Sequence, residues 1–135
     1  MIGYVTELNN DTFEEFIKRT LNVFGIPKAN YVKNSDVVSK IAVIAGGGSY
    51  VDLIIKAREL GCDTYLTGDY INKIDNEYAK GQRNEFNEAL PKLKINLVEC
   101  SHYATEKIVL INEMKNFFEN LQIDCEFIAQ DNPWK

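Results

Sequence analysis

The chain has 135 residues, 45% of them hydrophobic, so it is long enough to fold as one domain with a buried core. Its net charge of −5, and the absence of any basic run longer than Lys18-Arg19, argue against a nucleic-acid partner. The three cysteines are widely spaced and include no C-x-x-C pair, which predicts a protein of the reducing cytoplasm without disulfides or a cysteine zinc site. The opening residues are unlike a signal peptide, and no strongly apolar run is longer than Ile41–Ala45, so no membrane span is expected.

The first half of the chain has the pattern of alternating strands and helices. Strands are expected at Gly3–Leu8, Asn30–Lys33 and Lys40–Ala45. A helix capped by Asn10 or Asp11 should follow the first strand and end at Gly25-Ile26-Pro27. A second helix should follow the apolar third strand and end at Gly61.

The second half continues the alternation. Strands are expected at Cys62–Leu66, Ile95–Cys100 and Cys125–Ala129. Residues 70–92 are polar and read as a solvated helix interrupted by Gly81 and Pro91. The longest helix should cover 102–121, with one apolar side formed by Ile108, Ile111, Met114, Phe118 and Leu121. This order predicts a layered single α/β domain with a mixed, largely parallel sheet and flanking helices.

Unusual residues follow three of the predicted strands, at Gly46–Ser49, Thr67–Asp69 and Ser101–Glu106. Ligands of open α/β sheets bind outside the carboxyl ends of the strands. The three segments are therefore expected to line one crevice.

His102 is the only histidine, and it stands four residues before Glu106 at the start of the longest predicted helix. Residues four apart lie on one helix face, and an imidazole with a carboxylate can bind a divalent metal. The alternative is structural: a histidine at a helix start often only makes hydrogen bonds, and a first-turn glutamate is stabilised by the helix dipole. Spacing leaves both interpretations open.

The run Gly46, Gly47, Gly48 and Ser49 precedes a predicted helix, and its backbone amides could bind an anion at the helix N-terminus. A tight turn that needs glycine explains the same run equally well. Asp69 is either a ligand or base, or the cap of the next helix. No nucleophile-elbow sequence is present, so a catalytic triad around the single histidine is not indicated.

Three segments in this order resemble the Nif-three-like (NGG-one-interacting factor three) family, whose members are often labelled GTP cyclohydrolase 1 type 2. These segments are Gly46-Gly47-Gly48-Ser49, Tyr65-Leu66-Thr67-Gly68-Asp69 and Cys100-Ser101-His102-Tyr103-Ala104-Thr105-Glu106. The opening Ile2–Leu8 and the terminal Asn132-Pro133-Trp134 are similar to family patterns as well. The resemblance covers nearly the whole chain, but only the second half of the usual family protein.

The resemblance implies a dinuclear metal centre, with His102 and Glu106 at the positions of the ligands that the second half contributes. A His-His-Pro motif and an aspartate, normally supplied by the first half, have no counterpart here, and Lys73 stands where the family tends to have a further histidine. Two of about five expected ligands therefore remain. A divalent ion such as zinc, manganese or iron is the implied cofactor.

Three functional hypotheses follow from the resemblance. The chain forms a homo-oligomer, a dimer or a higher even number, that imitates one full-length protein; or a separate chain supplies the missing half; or the domain is a metal-free binding, regulatory or protein-interaction module. If there is chemistry, the implied reaction is metal-assisted hydrolysis of a nucleotide or another phosphate-containing small molecule. Asp69 or Ser49 would then orient the substrate, with the glycine run, Thr67 and Ser49 near its anionic group.

Overall fold

The computed structural model describes residues 3–131 of the chain. These residues form five strands and six helical segments. The strands are β1 (Tyr4–Thr12), β2 (Asn30–Val32), β3 (Val37–Gly47), β4 (Thr64–Asp69) and β5 (Asn96–Glu99). The helices are α1 (Phe13–Phe24), α2 (Val51–Glu59), α3 (Glu77–Leu93), α4 (His102–Val109) and α5 (Lys115–Asn120), with a π-helical turn (Leu110–Met114) joining α4 to α5. Ile2 and Asn132-Pro133-Trp134 lie outside the described residues.

The strands form one sheet in the order β1-β3-β4-β5-β2. The three central strands run parallel, and helices α2 and α3 make the crossovers that parallel neighbours require. The two outer strands, β1 and β2, pair antiparallel with β3 and β5. The predicted mixed, layered α/β architecture is confirmed.

Helices cover both faces of the sheet, and each face has its own core. One core lies beneath α2 and α3 and includes Ile44, Ile54, Tyr65, Phe86 and Leu97. The other lies beneath α1 and includes Phe13, Phe16, Ile41, Leu66 and Val98. Strands β4 and β5 are buried almost throughout, as expected of apolar strands that are covered on both sides.

Helix α1 begins later than the sequence pattern predicts. Its N-cap is Thr12, so the prediction of Asn10 or Asp11 is wrong, because β1 continues past a bulge between Glu7 and Asp11 and pairs as far as Thr12. The Thr12 hydroxyl accepts a hydrogen bond from the Glu15 backbone, and the Glu15 carboxylate accepts one from the Thr12 backbone. This reciprocal capping box fixes the start of the helix. Its end at Gly25, in the left-handed conformation, agrees with the prediction.

The helix between β4 and β5 is shorter and more continuous than predicted. Residues 70–76 form a loop, and α3 runs through Gly81 and Pro91 without interruption. Pro91 lies in the last turn, so the backbone hydrogen bond that it removes and the kink that it favours affect only the end of the helix. The helix is not merely solvated, because it buries Ala79, Phe86 and Leu93 against the sheet and α2.

The C-terminal segment departs furthest from the prediction. Cys125–Ala129 is not a strand in the described part of the chain. Its contacts are with the preceding helices instead: the Tyr103 hydroxyl donates to the Gln130 carbonyl over 2.7 Å, and the Cys125 sulfur approaches the Lys115 carbonyl. A short apolar run forms a strand only where a neighbouring strand can pair with it. No helix within residues 3–131 is long and apolar enough to cross a membrane.

The capping box predicts a specific loss of stability. Thr12→Ala should lower the free energy of unfolding by about 1 kcal/mol, because it removes the acceptor for the Glu15 backbone amide. Thr12→Ser keeps the hydroxyl and should retain most of the stability. Urea denaturation followed by circular dichroism measures both, and equal losses in the two variants would contradict the role of the hydroxyl.

The cysteines are predicted to differ in reactivity. Burial, together with the nearby Glu99 carboxylate, raises the pKa of the Cys100 thiol to about 12, and burial also raises the pKa of Cys62. Cys125 is only partly covered. A thiol reagent at neutral pH should therefore label Cys125 first, and peptide mapping after a short pulse would show it. Equal labelling of all three in the native protein would contradict this packing.

Candidate functional site

A crevice of about 890 Å³ opens at the carboxyl ends of the three parallel strands. Residues from all three predicted segments line it, together with the loop after β4; they include Gly47, Ser49, Asp69, Lys73, Glu99 and His102. The expectation that the three strand ends meet in one place is confirmed. The crevice follows from the parallel order of β3, β4 and β5, which brings their carboxyl ends to one edge.

His102 lies between two carboxylates in this crevice. Its Nδ1 is 2.9 Å from Oδ2 of Asp69, and its Nε2 is 3.1 Å from Oε1 of Glu106. Both His102 and Glu106 belong to the first turns of α4, so the predicted common face is confirmed. A proton on Nδ1, donated to Asp69, leaves the Nε2 lone pair directed toward Glu106. Carboxylates orient metal-binding histidines in this way.

The start of α4 is fixed by a buried threonine. The Thr105 hydroxyl accepts a hydrogen bond from the Gly46 amide over 2.9 Å and lies 3.1 Å from the Ser101 carbonyl. Ser101 itself caps the helix with a positive φ of 76°. The first turn of α4 is thereby tied to the end of β3, and the imidazole of His102 projects into the crevice from a fixed base.

Two glycines permit the close approach of these elements. A Cβ atom at Gly46 would collide with Oε1 of Glu106, and the backbone there has a φ of 70°. A Cβ atom at Gly68 would collide with the Gly46 carbonyl and lie 2.7 Å from the His102 Cα. The requirement for glycine is therefore steric, as the tight-turn interpretation of the glycine run expected.

The glycine run does not present a row of bare amides at a helix start. Gly46 and Gly47 still belong to β3, whereas α2 begins only at Val51. The amides of Gly46 and Gly48 donate to Thr105 and to the Asp69 carbonyl. That local expectation is wrong for these two amides, because the strand pairing continues into the glycines.

Thr67 is fully buried, and its hydroxyl donates to the Gly46 carbonyl. It therefore supports the strand ends from beneath rather than lining the crevice. Gly47 and Ser49 do line it.

Asp69 is a member of a charged network and not a helix cap. The cap of α3 is Asn76. Oδ2 of Asp69 contacts His102, and its Oδ1 lies 3.1 Å from the Lys73 ammonium. The same ammonium lies 2.6 Å from Oε1 of Glu99, so it bridges the two carboxylates.

Glu99 is a residue of the crevice that sequence patterns did not single out. Only 4% of it is exposed, at the end of β5, and besides Lys73 its carboxylate accepts hydrogen bonds from the Asn30 amide and the Tyr70 backbone. The one available signal was a glutamate inside the otherwise apolar Ile95–Cys100 run, since glutamate is seldom fully buried without a partner.

The partners of Lys73 also set its protonation. Partial burial alone would lower its pKa, but hydrogen bonds and charge attraction from Glu99 and Asp69 outweigh burial and raise the pKa above that of an ordinary lysine. Lys73 is therefore a fixed positive charge at neutral pH. Within residues 3–131, no group of three or more histidine, cysteine or acidic side chains is placed to hold a metal ion.

The α/β domain has counterparts among known proteins. Residues 1–133 match the profile of the family described as Duf34/NIF3 (NGG1p interacting factor 3), and the chain belongs to this family. The resemblance inferred from the motifs is thereby confirmed.

Relatives of this chain are more than twice its length. The GTP cyclohydrolase 1 type 2 homolog of Clostridium perfringens is 29% identical over 130 residues, which cover 95% of this chain and 44% of that protein. Staphylococcus aureus protein SA1388 superimposes with a TM-score of 0.66 at 26% identity, over 99% of this chain and 41% of that one. Reduced HcgD from Methanocaldococcus jannaschii gives a TM-score of 0.64 at 28% identity, over 96% and 46%.

The Lys73–Glu99 contact predicts a coupled loss of stability. Lys73→Met should reduce the free energy of unfolding by about 1–3 kcal/mol, because it leaves a buried carboxylate without its cation. Glu99→Gln in the same chain should recover part of this loss, with a coupling of about 0.5–3 kcal/mol in the double-mutant cycle. Lys80→Met is the matched control, since Lys80 makes only an exposed pair on α3.

The difference in the free energy of unfolding between the wild type and Lys73→Met should change with pH in a defined direction. Because the folded-state pKa of Lys73 is raised, the stabilisation should be complete below the ordinary value of 10.5 and should decline as pH rises through the folded-state pKa. Two results would contradict the bridging role of Lys73. One is that the stability losses of Lys73→Met and Glu99→Gln are additive in the double-mutant cycle, and the other is that the stability difference between the wild type and Lys73→Met already declines between pH 7 and 9.

Proposed function

We propose that the chain contributes part of a divalent-metal site, with His102 and Glu106 as ligands and Asp69 as the carboxylate that orients His102. The separation of 3.1 Å between Nε2 of His102 and Oε1 of Glu106 carries the proposal. Metal–nitrogen and metal–oxygen bonds of about 2.0–2.2 Å place neighbouring ligand atoms of one ion about 3 Å apart. The two atoms can therefore bind one ion without moving far.

The donor set suits zinc, manganese or iron, since imidazole and carboxylate together bind each of them. A divalent ion held there would act as a Lewis acid and support hydrolysis. Asp69 would hold the imidazole in position, and Lys73 would hold Asp69. The free cysteines agree with action in the reducing cytoplasm.

The remaining ligands would come from another protein unit. A protein metal site commonly needs three or more protein ligands, and this crevice offers two. Either a second copy in an even-numbered homo-oligomer or a separate chain would supply the rest. The greater length of the relatives supports a contribution from outside this chain.

The substrate we propose is a small anionic molecule, and a nucleotide or other phosphate compound fits best. The crevice lies within the roughly 300–1,000 Å³ usual for small-molecule sites. Ser49, Lys28 and Lys73 line it and can meet an anionic group, while Ile26, Ile71 and Tyr50 offer apolar surface. The name of the Clostridium perfringens relative, a GTP cyclohydrolase 1 type 2 homolog, agrees with this class.

A metal-free binding or regulatory module is the second candidate. One observation favours it: each ring nitrogen of His102 already lies within 3.1 Å of a carboxylate oxygen, so the side chain has a protein contact on both sides without any ion.

Metal content separates the two candidates. The untagged chain, loaded with zinc or manganese and dialysed, should retain about one ion per assembled site in elemental analysis. His102→Ala should lower the metal affinity by at least about tenfold, and Glu106→Gln should do the same, since each removes a ligand. Glu113→Gln, an exposed change further along the same helical segment, is the control and should leave affinity unchanged.

Two results would contradict the metal proposal. One is an absence of metal in the wild-type assembly after loading, and the other is equal metal retention in the wild type and the His102→Ala variant. Either result would leave the metal-free module as the working function.

A further inference from the structure

The helical segment after the first turns of α4 is apolar on two sides. Ile108, Ile111 and Phe118 are half-buried against the domain. On another side, a row of four large side chains is 39% to 57% exposed; these residues, called here the exposed stripe, are Leu110, Met114, Phe117 and Leu121. Neither the π-helical turn nor α5 contains a single buried residue.

Such a helix is under-packed in the single chain. Helices that are apolar around most of their circumference are normally buried on more than one side. The four side chains leave on the order of 400 Å² of apolar surface in contact with water, the size of the largest patch on a typical monomer, which is often functional. A standard interface buries about 800 Å² per partner, somewhat more than half of it apolar. The exposed stripe therefore provides most of the apolar area of one such interface.

The spacing of the exposed stripe identifies its partner. Its residues are separated by 4, 3 and 4 positions, as in a heptad repeat. This spacing reads the same in both directions, so an antiparallel copy of the helix presents its stripe in matching register. A two-fold axis between positions 115 and 116 sets Leu110 opposite Leu121 and Met114 opposite Phe117.

The charges agree with the same register. The charged residues near the centre of the pair meet no like charge: Glu113 faces Phe118, Lys115 faces Asn116 and Glu119 faces Asn112 of the other copy. Like charges in register would oppose the contact. A displacement of the axis by one residue toward the N-terminus sets Leu110 against Glu119 and Met114 against Lys115, which breaks the apolar matching.

We propose that a second copy of this chain docks on the exposed stripe, in an antiparallel helix pair around positions 115 and 116. The surface is argued from exposure and spacing and stands without the metal site. It is nevertheless adjacent to that site, because Glu106 lies four residues before Leu110 on the same face of the helix. The second copy thereby approaches the crevice from the side of Glu106.

Sedimentation equilibrium of the untagged full chain tests the dimer. The wild type should be a dimer at micromolar concentration. Leu110→Glu or Phe117→Glu should weaken association by about 30-fold or more, since each buries a charge within the apolar contact. Tyr78→Glu, at an equally exposed aromatic on α3, is the control and should remain dimeric. Circular dichroism verifies that each variant is folded.

Disulfide crosslinking tests the register without destabilising the fold. In a Cys125→Ser background, Leu110→Cys combined with Leu121→Cys should give a covalent dimer under mild oxidation. Leu110→Cys alone should not, because the two positions 110 lie far apart in the antiparallel pair. A monomeric wild type, or charge variants that remain dimeric, would overturn the docking surface. A dimer without crosslinks would overturn the register. Metal content is a separate measurement, so failure here leaves the metal proposal to its own test.

Discussion

The buried carboxylate of Glu99 is the constraint on which the crevice depends. A carboxylate that has lost nearly all contact with water must be neutralised, and the Lys73 ammonium at 2.6 Å does this. The same ammonium restrains Asp69, which in turn orients His102. The loop after β4 is thus held over the strand ends by charge. Lys73 in this loop, Asp69 at the end of β4 and the ring of His102 on α4 are thereby linked to one buried charge at the end of β5.

Backbone packing adds a second restraint of a different kind. The ends of β3 and β4 and the start of α4 approach each other so closely that the backbone leaves no room for a Cβ atom at Gly68, while the positive φ at Gly46 favours glycine there. Thr105 joins β3 to α4 through a buried hydroxyl, and Thr67 joins β4 to β3. The glycine run and the Thr-Gly-Asp segment therefore serve the geometry of the site first. Their chemistry follows from where this packing places Gly47, Ser49 and Asp69.

The sequence predicted the structure best where a residue type or an apolar run permits only one local conformation. The buried strand at Lys40–Ala45, the helix end at Gly25 and the convergence of the strand ends followed from apolar runs, glycine and parallel order. The sequence predicted the structure least well where contacts with residues distant in the chain determine it. Cys125–Ala129 is mostly apolar, as a strand can be, but no strand of residues 3–131 lies beside it. Glu99 becomes important through Lys73, which is distant in the chain. The N-cap at Thr12 depended on how far β1 pairs with β3, a property of the register and not of the local pattern.

The bulge in β1 has a consequence for how copies of this chain can meet. A long, flat outer strand offers unpaired backbone groups to any other strand and invites aggregation. Here the regular part of β1 is short, since the ladder with β3 is interrupted between Glu7 and Asp11, where Asn10 adopts a positive φ. Bulges of this kind twist an edge away from a flat template. The outer edge of β1 is thereby a poor template for pairing with a strand of another copy, which disfavours fibre-like aggregation through this edge.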